Sequence, residues 1–419
     1  MTAPIPIVHG EGVLLFDENE NAYIDAISSW WVNIHGHAHP YIAQNIYEQA
    51  KKLEHVIFTG FTHEPAVQLA ERLLAILPGD LSKIFYSDNG STAVEVAIKM
   101  AIQYWKNQPG KQGPATRHSP YRKKILVFRH AYHGDTFGAM SISERGVFTA
   151  AFGDFLFEVM FIDTPTAANL DELKKTVAKH AEETACFIYE PLLQAAGGMR
   201  MYEASLFDEL LAVVQSHNII CIADEVMTGF GRTGKLFASE YLKNKPDIIC
   251  LSKGLTGGTM AMGVTACTQK IFEAFLSNDK TKTFFHGHSY TANPIACAAA
   301  LASLDLLEKK ECRSSIGSIV VHHKNFVQKL SLADANRKKP HTGASFRNIR
   351  QIGTIIAFEI DTGSDGYLNT ISAAITQQAL QKGIYLRPLG NTVYIMPAYC
   401  ITEEQLNKIY DCLIQLRLG

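Results

Sequence analysis

Nothing in this 419-residue chain pairs cysteines at the spacing of a redox or zinc motif. The eight, Cys186, Cys221, Cys250, Cys267, Cys297, Cys312, Cys400 and Cys412, include no CxxC. Most lie inside apolar runs such as IICIAD and DIICLS, so they read as buried free thiols of a reducing compartment. Charge of one sign is missing too. The 39 Lys and Arg against 41 Asp and Glu leave a net −2. That balance speaks against nucleic acid or an anionic membrane surface as partner, because both demand a concentrated basic field. Long apolar runs are equally scarce: the most apolar helical stretch, PIACAAALASLDLL, falls short of the ~20 residues that cross a bilayer. The opening MTAPIPIVHGEG has neither the basic nor the apolar region of a secretion signal, which makes the cytoplasm the expected compartment. Repeats and low-complexity tracts are lacking as well. What the chain has is 47 % apolar residues, too many for disorder, on a length that suits more than one domain.

Two polar breaks punctuate it, 107–124 (with the basic run RHSPYRKK) and 331–345. Between them, short apolar runs alternate with helical patterns. The runs 83–88, 124–129, 185–190, 219–224 and 247–252 are apolar on both faces, as central strands of a covered parallel sheet are. STAVEVAIKMAIQYW carries an apolar stripe at helical spacing, and helices are expected across 203–216 and 293–309. The alternation predicts an α/β core with a mostly parallel central sheet. After the second break, IGTIIAFEI, a helix near 371–382, IYLRP, TVYIM and a terminal helix predict a smaller α+β unit.

Chemistry in such sheets gathers beyond the carboxyl ends of the strands. Those ends read Asp88-Asn89-Gly90-Ser91, His130-Ala131-Tyr132-His133, Glu190-Pro191, Asp224-Glu225 and Ser252-Lys253-Gly254. The Gly-Ser turn opens a helix, where Gly90 allows close backbone approach and free N–H groups can take a phosphate; ordinary capping by Asn89 or Ser91 explains it equally well. There is no GxGxxG and no lysine after the glycine, so neither a dinucleotide fingerprint nor a Walker loop is present. A lysine desolvated at the sheet rim, as Lys253 is expected to be, becomes a nucleophile toward an aldehyde, although a loop lysine is the commoner case. Asp224 at a buried strand end needs a cation, and a protonated pyridine nitrogen suits it. Tyr132 could lay its ring on a flat cofactor. Together these groups meet the needs of pyridoxal 5'-phosphate.

On these motifs the chain resembles the class III, fold-type I pyridoxal-phosphate aminotransferases over nearly its whole length. The specific stretches are IADEVMTGFGRTGKLFA (222–238) with PDIICLSKGLTGG, AISSWWVNIHGHAHP (26–40), SDNGSTAVEVAIKMAIQYW (87–105), YHGDTFGAMSIS (132–143), GGMRMY (197–202) and LRPLGNTVYIMPAY (386–399). Trp30-Trp31 and LTGGTM make it most similar to the branch that moves an amino group from S-adenosylmethionine to 8-amino-7-oxononanoate. The resemblance implies that Lys253 binds the cofactor and shuttles the proton, that Asp224 pairs the pyridine nitrogen, and that Gly90 and Ser91 hold the phosphate. It implies a homodimer in which His288 and Ser289 reach the partner's phosphate, with Gly287 beside the substrate. Trp30 and Tyr132 would line the substrate pocket, and Arg387 would receive the acceptor's carboxylate. Asp135 and Arg232 match motif positions near the site.

Two departures stand out. Relatives carry a substrate-facing tyrosine in an N-terminal segment, and MTAPIPIVHGEG has none; His288 stands where relatives often have proline. The expected division is 1–45 and 311–419 as the small unit and 46–310 as the cofactor domain. A rival keeps the chemistry with another donor, such as lysine, ornithine, β-alanine or γ-aminobutyrate. A second rival is a non-catalytic scaffold on the same fold. The histidines of HGHAHP (His35, His37, His39) and the pair His286/His288 lack the cysteine or carboxylate companions of a metal site, so no metal is expected.

Overall fold

The computed structural model describes residues 4–108, 122–335, 346–361 and 369–416, so the two polar breaks lie mostly outside the described residues. Seven strands form the large sheet: β1 (Leu81–Ser87), β2 (Lys124–Phe128), β3 (Met160–Ile162), β4 (Thr184–Tyr189), β5 (Ile220–Asp224), β6 (Ile248–Leu251) and β7 (Gly263–Thr268). Their order is β1-β7-β6-β5-β4-β2-β3. Only β7 runs against its neighbours, and every other pairing is parallel.

Alternation along these strands builds two cores. In β5, Ile220 and Ile222 join the layer beneath helix α1 (Gly90–Asn107), together with Val94, Ala97 and Ile98. Cys221 and Ala223 face the opposite layer, with Phe207 and Leu210 of the helix Ala204–Ser216. A strand buried on both faces must be apolar at every position, which is why β4 and β5 were legible as continuous runs. The strand β7 was not. GVTACT opens on glycine and holds small or polar residues, and its place is set by the neighbours it separates. A Cβ on Gly263 would lie 2.2 Å from the Asn89 carbonyl oxygen. The three-residue β3 also left no pattern.

The ends of the chain meet. Ala22–Asp25 pairs antiparallel with Leu14–Asp17 and parallel with Ile384–Tyr385, and a further sheet joins Phe346–Ile352, Ile355–Ile360 and Thr392–Ile395. The long helix Lys310–Ala335 had no counterpart in the sequence expectations. Its buried face is Ile316, Ile319, His323, Phe326 and Leu330, and the histidine at its centre disguises the stripe. His323 is neutral there: burial pushes its pKa down to about 3, with the ring between the Tyr410 hydroxyl (2.6 Å) and the Thr354 carbonyl (3.0 Å). Among the described residues no helix is long and apolar enough to cross a membrane.

Six of the eight cysteines are buried, Cys312 is half-buried and Cys400 exposed, and all are free thiols. Each HGHAHP histidine has its own neighbour: His35 faces the Ser303 carbonyl (2.9 Å), His37 faces Asp25 (3.0 Å), and His39 packs its ring on His35 (6.3 Å). Aromatic rings cover one face of β4, with Phe187 meeting Phe128 at 5.0 Å and Tyr189 at 5.1 Å. Phe187→Ala is expected to lower the unfolding free energy by about 3–5 kcal/mol in a urea titration.

Candidate active site

Strand β5 delivers two adjacent carboxylates. Asp224 is buried, with its Oδ2 2.7 Å from His133 Nδ1, and its Oδ1 accepts the Val226 N–H at 3.1 Å. Glu225 points the other way and is fully buried. It accepts the Thr228 hydroxyl (2.8 Å) and the N–H groups of Ala238 (2.9 Å) and Ser239 (2.6 Å). Burial raises the Glu225 pKa, and those donors oppose the rise. One carboxylate fastens a loop; the other faces a cavity.

That cavity, of about 520 Å³, lies at the carboxyl ends of the strands. Its lining includes Gly90, Ser91, Tyr132, His133, Glu190, Asp224 and Lys253. Lys253 comes one residue after β6, past Ser252, at a φ of +47° that starts the short turn to Thr256. Burial lowers its pKa, while Asp224 and Glu190 pull the other way. Among the described residues Lys253 forms no salt bridge, and its Nζ stands 5.4 Å from the ring centre of Trp31. Glu190, at the end of β4, accepts the N–H groups of Tyr132 (3.1 Å) and Ala195 (2.9 Å). Desolvation, with Asp224 adding to it, raises the Glu190 pKa to about 7, although His133 acts in the opposite sense.

The other wall is an anion cradle. Asn89 caps α1 by accepting the Thr92 N–H at 2.9 Å, in a capping box that Thr92 completes, so capping and the free helix terminus coexist. Ser91 Oγ accepts the Thr136 N–H at 3.0 Å. Two glycines keep the space open: a Cβ on Gly90 would lie 2.7 Å from Val226 Cγ1, and one on Gly134 would lie 2.4 Å from Ser91 Oγ. An N-terminus with bare backbone on both sides is a place for a phosphate.

Not every expected residue stands here. Trp31, not Trp30, lines the cavity. Trp30 is 43 % exposed and carries the Arg387 guanidinium 4.3 Å over its ring. Both indoles come from a turn whose four residues, Ser28 to Trp31, all have positive φ, a conformation that costs about 1–3 kcal/mol per non-glycine residue. Gly287 and Ser289 are exposed and His288 is half-buried, and all three are outside the cavity of their own chain. Arg232 is buried away from it, donating to the carbonyls of Pro397 (2.8 Å) and Trp31 (3.2 Å). A second cavity of about 450 Å³ opens past Tyr132 and Asp135 toward Phe148, Arg200 and Leu389. Sequence reasoning missed His133 and Trp31. The YHG and SSWW motifs contain both; in SSWW the hand of the backbone decides which indole turns inward, and in YHG His133 shares the cavity with Tyr132 through its bond to Asp224.

Comparison with known proteins agrees with this geometry. The family model described as Aminotransferase class-III matches residues 1–416. The chain belongs to the class III aminotransferases. It is 45 % identical to the adenosylmethionine-8-amino-7-oxononanoate aminotransferase of Synechococcus elongatus, over 99 % of this chain and 95 % of that one. It is 37 % identical to the enzyme of that name from Helicobacter pylori, over 98 % and 92 %. Among solved structures, the Methanocaldococcus jannaschii protein of the same name superposes with a TM-score of 0.89 at 35 % identity, covering 99 % and 94 %. A PLP-bound amine transaminase from an uncultivated Pseudomonas species gives 0.87 at 29 %, covering 98 % and 94 %. The chain is therefore a pyridoxal-phosphate-dependent transaminase of this class, on an α/β fold with a mostly parallel sheet.

The residues present fit that cofactor. Among the described residues His133 Nε2 is buried without a partner, Asp224 keeps a face toward the cavity, and the cradle at Gly90 has no side chain to displace. For this class III aminotransferase, Gly90→Ala is expected to weaken pyridoxal phosphate binding at least about tenfold in an absorbance titration, and Val226→Ala to restore most of it. The pH dependence of cofactor uptake follows from Lys253. Burial favours the neutral amine, so the apoprotein's loading rate should rise with pH through a midpoint below the ordinary lysine value of 10.5. A midpoint at or above that value would contradict the desolvated lysine.

Proposed function

We propose that this aminotransferase moves an amino group from S-adenosylmethionine to 8-amino-7-oxononanoate, forming 7,8-diaminononanoate for biotin synthesis, and that it works as a homodimer. One observation carries the choice of acceptor. Arg387 has no carboxylate partner among the described residues and stands 4.3 Å over the Trp30 ring, outside the Lys253 cavity. A planar, permanently charged fork held away from the reacting atoms suits an acceptor whose carboxylate is at the far end of its chain from the ketone. The full-length likeness to relatives named for this reaction supports the same choice.

Pyridoxal phosphate, when bound, supplies the electron sink that makes the substrate Cα–H acidic. The chain's own residues do the rest. Asp224 would hold the proton of the pyridine nitrogen, and His133, bonded to its Oδ2 at 2.7 Å, leaves Oδ1, which also accepts the Val226 N–H, as the oxygen to do so. Lys253 Nζ takes the proton from the substrate Cα and returns one in the opposite half-reaction; its lowered pKa suits a group that must act as base and acid in turn. The α1 terminus with Gly90 and Ser91 would hold the phosphate, and Tyr132 lines the same cavity where the ring would sit. His288 and Ser289 serve the phosphate of a second copy, with Gly287 beside its substrate. Trp30 enters through Arg387, and the cavity past Tyr132 and Asp135 takes the bulk of the donor.

A single-turnover donor panel followed by absorbance tests the reading. S-adenosylmethionine should discharge the bound cofactor to its amine form, and Lys253→Ala should abolish the change. Conversion by lysine, ornithine, β-alanine or γ-aminobutyrate, with S-adenosylmethionine inert, would replace the proposed donor. Arg387→Ala is expected to raise the acceptor KM about tenfold or more and to leave the donor half-reaction within about threefold. Equal losses in both halves would remove Arg387 from the acceptor's carboxylate.

A further inference from the structure

The residues Ser28, Ser29, Trp30 and Trp31 have φ values of 52°, 45°, 66° and 75°, and none is a glycine. They form one turn of left-handed helix, closed by the Trp31 N–H on the Ile27 carbonyl (3.0 Å) and the Val32 N–H on the Ser28 carbonyl (2.9 Å). Nothing in Ser-Ser-Trp-Trp favours that hand, so the turn has to be held from outside.

Asp25 holds it. The residue is 1 % exposed. Its Oδ1 accepts the Ile27 N–H at 3.2 Å and its Oδ2 accepts the Ser29 hydroxyl at 2.8 Å. The same Oδ2 lies 3.0 Å from His37 Nε2, and His37 Nδ1 faces the Asn33 amide at 3.0 Å. One carboxylate therefore ties residues before, within and after the turn. The Ser28 hydroxyl on the Met396 carbonyl (2.7 Å) and Arg232 on the Trp31 carbonyl (3.2 Å) pin it to the body of the protein.

What the turn delivers is two indoles. Trp31 meets Lys253 Nζ at 5.4 Å, and Trp30 lies beneath Arg387 at 4.3 Å. Consecutive side chains on a helical turn diverge by ~100°, so the hand of the turn decides which indole faces the lysine and which the arginine. We propose that Asp25 is a positioning residue for the transaminase site: by holding the left-handed turn, it places one indole against the lysine that moves the proton and the other beneath the arginine that receives the acceptor. The proposal rests on the roles given to Lys253 and Arg387 above.

The test uses the holoenzyme and two readouts. Steady-state kinetics separate the acceptor KM from kcat. Intrinsic emission reports the turn directly, because Trp30 and Trp31 are two of the chain's three tryptophans. Asp25→Ala should raise the acceptor KM about tenfold, keep kcat within about threefold, and shift the emission to the red. Ser29→Ala, which deletes one hydrogen bond, should move both readouts the same way, the KM by about threefold. Asp25→Asn keeps an acceptor for Ile27 and can donate to the Ser29 oxygen, but its amide meets the Nε2–H of His37 that Asp25 accepts, so it should recover only part of both readouts, leaving the KM within about fivefold of wild type. A folded Asp25→Ala with wild-type KM overturns the proposal, whether or not its emission shifts. If that variant does not fold, an unchanged Ser29→Ala overturns it. Failure of the substrate reading is distinct, since it appears as a wild-type protein that S-adenosylmethionine does not discharge. The emission readout and the KM for whichever keto acid accepts the amino group then decide the role of Asp25.

Discussion

An amine stripped of most of its water at the rim of an apolar sheet is the constraint around which this site is arranged. Burial pushes Lys253 toward the neutral amine. Asp224 and Glu190 counter it, and the balance leaves its pKa lowered. The carboxylates have the mirror problem. Glu190 is answered by two backbone N–H groups and a pKa raised to about 7, and Asp224 by His133. Removing either Asp224 or His133 would leave the other buried without its partner, which costs more than the pairing gains. The sheet supplies the low dielectric, and the loops after its strands supply the partners.

The adjacent residues Asp224 and Glu225 show how little sequence separates chemistry from scaffolding. Alternation along β5 sends one side chain to the face shared with Ile220 and Ile222, and the next to the face shared with Cys221 and Ala223. On the first face stands His133 and an open cavity; on the second, three donors from the 228–239 loop consume Glu225 completely. A one-residue slip in the register of β5 would exchange the two, so the ladders with β4 and β6 are as much a part of the site as the carboxylate itself.

Most of the sheet was readable because strands covered on both faces must be apolar throughout, and the ends of those strands are where Asp224, Lys253 and Gly90 were expected. The structure brings these three into one cavity with Ser91 and Tyr132. What stayed hidden was decided by context. β7 is specified by the strands on either side of it, and the Lys310–Ala335 helix hides its stripe behind a buried histidine. Trp31 could not be told from Trp30 in SSWW, because right-handed and left-handed turns of the same four residues present different indoles to the cavity. His133 was passed over beside Tyr132 for a related reason: its value lies in a partner 91 positions away.

Strain and specificity thereby come from the same place. The chemistry of proton transfer rests on strand ends, whose positions the sheet fixes cheaply through many shared hydrogen bonds. The pieces that would distinguish one keto acid from another, Trp30 and Arg387, come from opposite ends of the chain and meet only because Ala22–Asp25 pairs with Ile384–Tyr385. Asp25 is the last residue of that strand and the first anchor of the strained turn, so a single position joins the pairing of the chain ends to the placement of the indoles. A left-handed turn of non-glycine residues persists only where its surroundings over-determine it. Here the surroundings are the junction that carries Arg387, which ties the geometry proposed for acceptor recognition to the closure of the fold.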